Sequence, residues 1–104
     1  MLEDRLKQLG GQYLLRTREE LALLRARLPE ARDGKAQALQ QVLHHAHRIS
    51  GSGALLGFKV ISDAMAQVER ILRRADPAPD DAEWRQIMEH LHSVEADLAS
   101  HPPS

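Results

Sequence analysis

The chain has 104 residues, 42 % of them hydrophobic, which suits the core of one small domain and not of two. It contains no cysteine, so disulfides, thiolate metal sites and cysteine nucleophiles are excluded together. With 14 Lys and Arg against 15 Asp and Glu there is no basic excess to neutralise phosphates, and Tyr13, Phe58 and Trp84 are too few for base-stacking platforms, so no nucleic-acid partner is expected.

No apolar run approaches the roughly 18 residues that cross a bilayer. The opening Met1-Leu2-Glu3-Asp4 lacks the basic-then-apolar pattern of a secretion signal, and a soluble, cytoplasmic protein without membrane contact is expected. Apolar residues recur at helical spacing along nearly the whole chain, and strand-type alternation is absent. The reading is a single all-α domain over residues 1–104, with helices at about 2–28, 33–53, 58–75 and 80–100.

The first helix carries Leu14, Leu21, Leu24 and Leu28 on one stripe and is expected to close at Pro29. Gly10-Gly11 is a possible kink, since each glycine costs about 1 kcal/mol against alanine. Asp33 reads as the N-cap of the second helix, whose inward face holds Leu39, Val42, Leu43, Ala46, Ile49, Ser50 and Gly53, and which is expected to fade at Gly51-Ser52-Gly53. The third begins near Phe58 and buries Ile61, Ala64, Met65, Val68, Ile71 and Leu72 until Asp76-Pro77-Ala78-Pro79 stops the pattern. Asp80 with Glu83 at the capping-box offset opens the fourth, which buries Trp84, Ile87, Leu91, Val94 and Leu98; His101-Pro102-Pro103-Ser104 reads as a frayed tail. Four amphipathic helices with short connections pack most simply as an antiparallel up-down-up-down four-helix bundle.

Five of the six histidines fall in two groups, His44-His45-His47 and His90-His92. His44 and His47 share a helix face, but neither an H-E-x-x-H pattern nor an acidic residue at a suitable offset completes a metal site, and none is assigned. At 100° per residue, His47 lies roughly 110° from the centre of its helix's core stripe, on a flank with Gln40, His44 and Gly51. It therefore borders the core without entering it. Gly51, one turn further on, leaves room above the imidazole.

On the third helix Glu69 occupies a comparable flank, about 80° from Ile61 by the same count, and lies about as far from the turn near Gly57-Phe58 as His47 does. Helical-wheel arithmetic does not separate facing flanks from opposed ones. If they face, Glu69 accepts the Nδ1 proton of His47 and leaves Nε2 with its lone pair outward as a nucleophile.

The string His47-Arg48-Ile49-Ser50-Gly51-Ser52-Gly53-Ala54-Leu55-Leu56-Gly57-Phe58 resembles the signature of histidine phosphotransfer (HPt) domains, His-x-Leu-Lys-Gly with a further Gly after five residues. His47, the apolar Ile49, Gly51 and Gly57 match in register, and with Glu69 the stretch from about Leu43 to Leu72 looks most like the phosphotransfer domain of chemotaxis histidine kinases. The resemblance implies a phosphocarrier that accepts a phosphoryl group on His47, with Glu69 orienting the imidazole by a hydrogen bond. One position departs from the pattern: Ser50 stands where the family has a lysine thought to help the incoming phosphoryl group, which implies slower transfer or a different partner choice, with Arg48 or Lys59 as substitute cations.

The implied partners are response-regulator receiver domains and a sensor histidine kinase. The chain holds no carboxylate cluster for magnesium and no G-x-x-x-x-G-K phosphate loop, so it is expected to be no enzyme in its own right, to use no ATP, and to have no cofactor of its own. The magnesium would sit on the receiver. The docking face is expected to combine Gln40, His44, His47 and Gly51 with Ser62, Ala66, Glu69 and Arg73, while Arg48, Arg70 and Arg73 attract an acidic receiver pocket. No surplus apolar face asks for a dimer, so a monomer is expected. The readings from other classes are a helical adaptor that is never phosphorylated, favoured by Ser50, and a histidine-based metal-binding bundle.

Overall fold

The computed structural model describes residues 1–101; Pro102, Pro103 and Ser104, and with them most of the expected frayed tail, lie outside the described residues. Four helices follow one another: α1 (Leu2–Arg32), α2 (Ala36–Leu56), α3 (Lys59–Arg74) and α4 (Asp81–Ala99), with no strand among the described residues. They pack in chain order, α1 on α2, α2 on α3 and α3 on α4, with only a narrow contact between α1 and α4. The molecule measures 48 × 21 × 21 Å. At 1.5 Å per residue the 31 residues of α1 account for the long dimension.

The core is mainly aliphatic, with two buried aromatics, Tyr13 and Trp84. Leu24, Val42, Ala46, Ile61, Met65, Val68, Ile87, Leu91 and Val94 are fully buried, and Trp84 nearly so. Leu14, Leu39, Leu43, Ile71 and Leu72, expected inside, are only partly covered. Tyr13 and Thr17, absent from the expected stripe, are buried instead. Tyr13 stacks on Phe58 with ring centroids 4.9 Å apart, and its hydroxyl donates to the Ile49 carbonyl at 3.0 Å. Burial pushes the Tyr13 phenol up, so the hydroxyl keeps its proton for that bond.

The boundaries between α1 and α2 correct the sequence reading. Pro29 does not end α1: the helix runs on to Arg32, because Leu28 and Ala31, the latter fully buried, hold the last turn against the core. Asp33 is the C-cap of α1 and not the N-cap of α2. Gly34 follows in the left-handed region (φ 85°), and the amides of Gly34 and Lys35 donate back to Ala31 and Glu30 at 3.0 and 3.1 Å. This is a Schellman closure, in which glycine avoids the Cβ penalty. The second helix then starts at Ala36, three residues later than expected at Asp33.

Likewise α2 does not fade at Gly51-Ser52-Gly53 but continues to Leu56 and closes at Gly57 (φ 83°), with the Phe58 amide on the Gly53 carbonyl at 2.9 Å. Tertiary packing outweighs the propensity cost here: Gly53 is buried beneath Tyr13, and a Cβ at that position would stand 2.6 Å from the Tyr13 hydroxyl. Gly10-Gly11 leaves α1 unbroken. Phe58 precedes α3 as its N-cap, and α3 ends at Arg74. The Asp80/Glu83 capping box forms as read, with reciprocal bonds of 2.8 and 3.0 Å.

Two features were not anticipated. Leu2, Leu6 and Leu9 at the start of α1 remain exposed. His101 is held to the bundle, its carbonyl accepting from Arg18 at 2.6 Å and its ring meeting Phe58 edge-on at 5.7 Å. No helix among the described residues is long and apolar enough to cross a membrane.

Candidate functional site

The third-turn flank of α2 and the middle of α3 meet at a polar cluster on the surface. His47 Nδ1 lies 2.9 Å from Glu69 Oε2, so the facing arrangement of the two flanks is the one adopted. The imidazole is 64 % exposed while Glu69 is only 18 % exposed, which puts the carboxylate behind the ring and the ring toward solvent. A carboxylate accepts from an N–H, so the neutral ring bonded in this way carries its proton on Nδ1 and has its lone pair on Nε2. Nε2 in that tautomer can act as a nucleophile.

Glu69 Oε2 has a second partner. Arg73, one helical turn on, approaches the same oxygen with Nε at 2.9 Å and Nη2 at 2.8 Å. Burial pushes the Glu69 carboxyl up, but the hydrogen bonds and positive charge supplied by Arg73 and His47 outweigh it and hold the group below the usual carboxylate range. The carboxylate therefore stays ionised and available as an acceptor at neutral pH.

The residues expected on a docking face divide by exposure. Gln40, His44, Gly51 and Ala66 are exposed alongside His47, and a Cβ at Gly51 would meet nothing within 4 Å. Ser62 does not belong to that surface. It is buried, its hydroxyl donating to the Ser50 carbonyl at 2.9 Å, while the Ser50 hydroxyl donates to the Ser62 carbonyl at 3.1 Å. The two serines thus form a reciprocal tie between α2 and α3. A lysine at position 50 would lose its half of that tie.

The two substitute cations are engaged elsewhere. Arg48 turns toward α1, where its Nε lies 3.4 Å from Glu20 Oε1, and Lys59 pairs with Asp63 at 2.9 Å. Arg70 bonds to Gln67 on its own helix. The sequence reading gave Arg73 only a docking part and missed its grip on Glu69. The signal was present as a Glu-to-Arg spacing of four on a helix, the orientation that favours such a pair. The reading also missed a second histidine–glutamate contact, His45 Nδ1 to Glu20 Oε1 at 3.4 Å. Among the described residues no group of three His, Cys, Asp or Glu side chains is arranged to hold a metal ion.

Neither the curated proteins nor the solved structures give a match to the chain. A family model, described as the Hpt domain, matches residues 8–99, which include all four helices in whole or large part and every residue of the cluster. The chain belongs to the Hpt domain family, whose members are phosphocarriers that pass phosphoryl groups through a histidine in phosphorelays.

Proposed function

We propose that this chain accepts a phosphoryl group on Nε2 of His47 from the aspartyl phosphate of a receiver domain, or from a histidine kinase, and passes it to another receiver. The observation that carries the reading is the exposed imidazole whose Nδ1 is held 2.9 Å from Glu69. In the forward step the Nε2 lone pair attacks phosphorus, the N–P bond forms as the aspartyl P–O bond breaks, and the aspartate leaves as carboxylate. The ring's developing positive charge is met by Glu69 through the Nδ1 proton. The reverse step uses the same contacts.

Phosphoryl transfer is mostly positioning and charge stabilisation. The receiver would bring its magnesium, and this chain would contribute the oriented imidazole and the space above Gly51. It uses no ATP and needs no cofactor of its own. The balance of 14 basic and 15 acidic residues favours a protein partner over a nucleic acid.

An up-down-up-down packing suits this task, since it lays α2 and α3 side by side along a flat face. Contact pairs support it: Tyr13 meets Ile49 while Glu20, further along α1, meets His45, earlier in α2. Ser50 meets Ser62 while His47 meets Glu69, and Arg18 meets Leu98 while Arg25 meets Glu95. In each pair one helix ascends as the other descends. We take the carrier to act as a monomer at this step.

The test is incubation with phosphorylated receiver domains. Wild type should gain an acid-labile, alkali-stable phosphate, and His47→Gln should gain none. Equal labelling of the two would sink the carrier reading, and absence of label on both across a panel of receivers would favour a phosphorylation-independent adaptor.

A further inference from the structure

We propose that Arg73 is a positioning residue for His47 that acts through Glu69, by gripping Oε2 so that the carboxylate stays in the one rotamer that accepts the Nδ1 proton. Its kinetic consequence rests on the phosphocarrier reading; its consequence for the imidazole proton does not.

A glutamate side chain loses rotamer entropy when it is fixed, and its contacts have to offset that loss. One hydrogen bond from a mostly exposed imidazole competes with water and leaves the carboxylate free to turn among its rotamers. Arg73 adds two N–H contacts to the same atom, at 2.9 and 2.8 Å. They come from a planar, pre-organised donor fork on the same helix, in the favourable Glu-before-Arg order. Three donors then converge on Oε2, and the oxygen that faces His47 is the one the guanidinium fixes.

The neighbouring cations do not duplicate this. Arg48 is drawn to Glu20, Lys59 to Asp63 and Arg70 to Gln67. Ser50, in the place of the family's lysine, spends its hydroxyl on the Ser62 carbonyl. An exposed pair at this spacing contributes little to overall stability, because water screens it. Arg73 should therefore matter little to folding and much more to where the His47 proton sits.

Two measurements on the full chain test this. Nitrogen NMR of labelled histidine reads the His47 tautomer, and phosphotransfer from a phosphorylated receiver is timed at saturating and subsaturating receiver. In Arg73→Ala the Nδ1–H share should fall toward that of free imidazole, where Nε2–H is the commoner form. The saturating rate should drop on the order of tenfold, by analogy with the loss seen when a metal-ligating histidine is deprived of its outer hydrogen-bond partner.

Arg73→Lys should recover part of both, and Arg73→Ala should cost nothing further in a Glu69→Ala background. An unchanged tautomer, or a loss confined to subsaturating receiver, would reduce Arg73 to a rim charge and overturn the proposal. If wild type takes no label from any receiver the carrier reading fails, and the tautomer measurement still decides the role of Arg73.

Discussion

The molecule holds two clusters of the same composition on opposite flanks of α2. His47, Glu69 and Arg73 meet on the side of α3; His45, Glu20 and Arg48 meet on the side of α1. In both, one carboxylate oxygen serves a histidine Nδ1 and an arginine. They differ in depth and in closeness: His47 is 64 % exposed with a 2.9 Å contact, whereas His45 is 18 % exposed with a 3.4 Å contact. Two residues of helix, about 200° of rotation, separate a ring presented to a visitor from one that seals a helix interface. The two pairs therefore share a composition and differ in presentation, and under the proposed function presentation is what marks His47 out.

The largest expected effect tests that contrast directly. His45→Gln should still take phosphate from a receiver at close to the wild-type rate, in contrast to the complete loss expected for His47→Gln, and should register instead as a lower Tm. Transfer lost in both variants at full folding would erase the distinction.

Glycine substitutions sharpen it on the two faces of the same helix. A methyl at Gly53 would press on the Tyr13 hydroxyl at 2.6 Å and the Ser62 Cβ at 3.3 Å, so Gly53→Ala should destabilise by about 1–3 kcal/mol. At 4–8 °C per kcal/mol for a domain of this size, calorimetry should see the loss readily. A methyl at Gly51 meets nothing, so Gly51→Ala should stabilise α2 by up to about 1 kcal/mol while slowing transfer, because it fills the space a receiver would enter. A faster Gly51→Ala would show that the notch has no part in docking.

Acidification gives the smallest effect. The carboxyl of Glu69 is held below its ordinary value of 4.5 in the folded chain, so its pairing stabilises the fold above that value. The contribution is lost as the pH falls through the lower folded value. Chemical denaturation of wild type and Glu69→Gln should therefore differ by a constant amount near neutrality and converge in strong acid. A gap that widened on acidification would contradict the assignment.

Helix number, most of the core and the residues of the histidine cluster were legible in the sequence, because apolar period and residue type are local properties. Asp33-Gly34 shows where that legibility ended. The same dipeptide serves as a helix start or a helix stop, and the stop was selected by Leu28 and Ala31 packing against the core. Ser62 was expected on the docking face and is instead half of a buried tie with Ser50. Arg73 was legible as a charge on the right flank but not as a partner of the same oxygen as His47.

The sequence by itself determined that this chain is helical, that His47 borders a core it does not enter, and that a glycine lies one turn beyond it. Only the tertiary structure decided that the flank of α2 bearing His47 faces the flank of α3 bearing Glu69, that Ser50 and not a cation ties the two helices, and that Arg73 shares the carboxylate. The reason is that periodicity fixes angles about one helix axis, whereas the rotation of two helices relative to each other is set by side chains far apart in the chain filling a common interior.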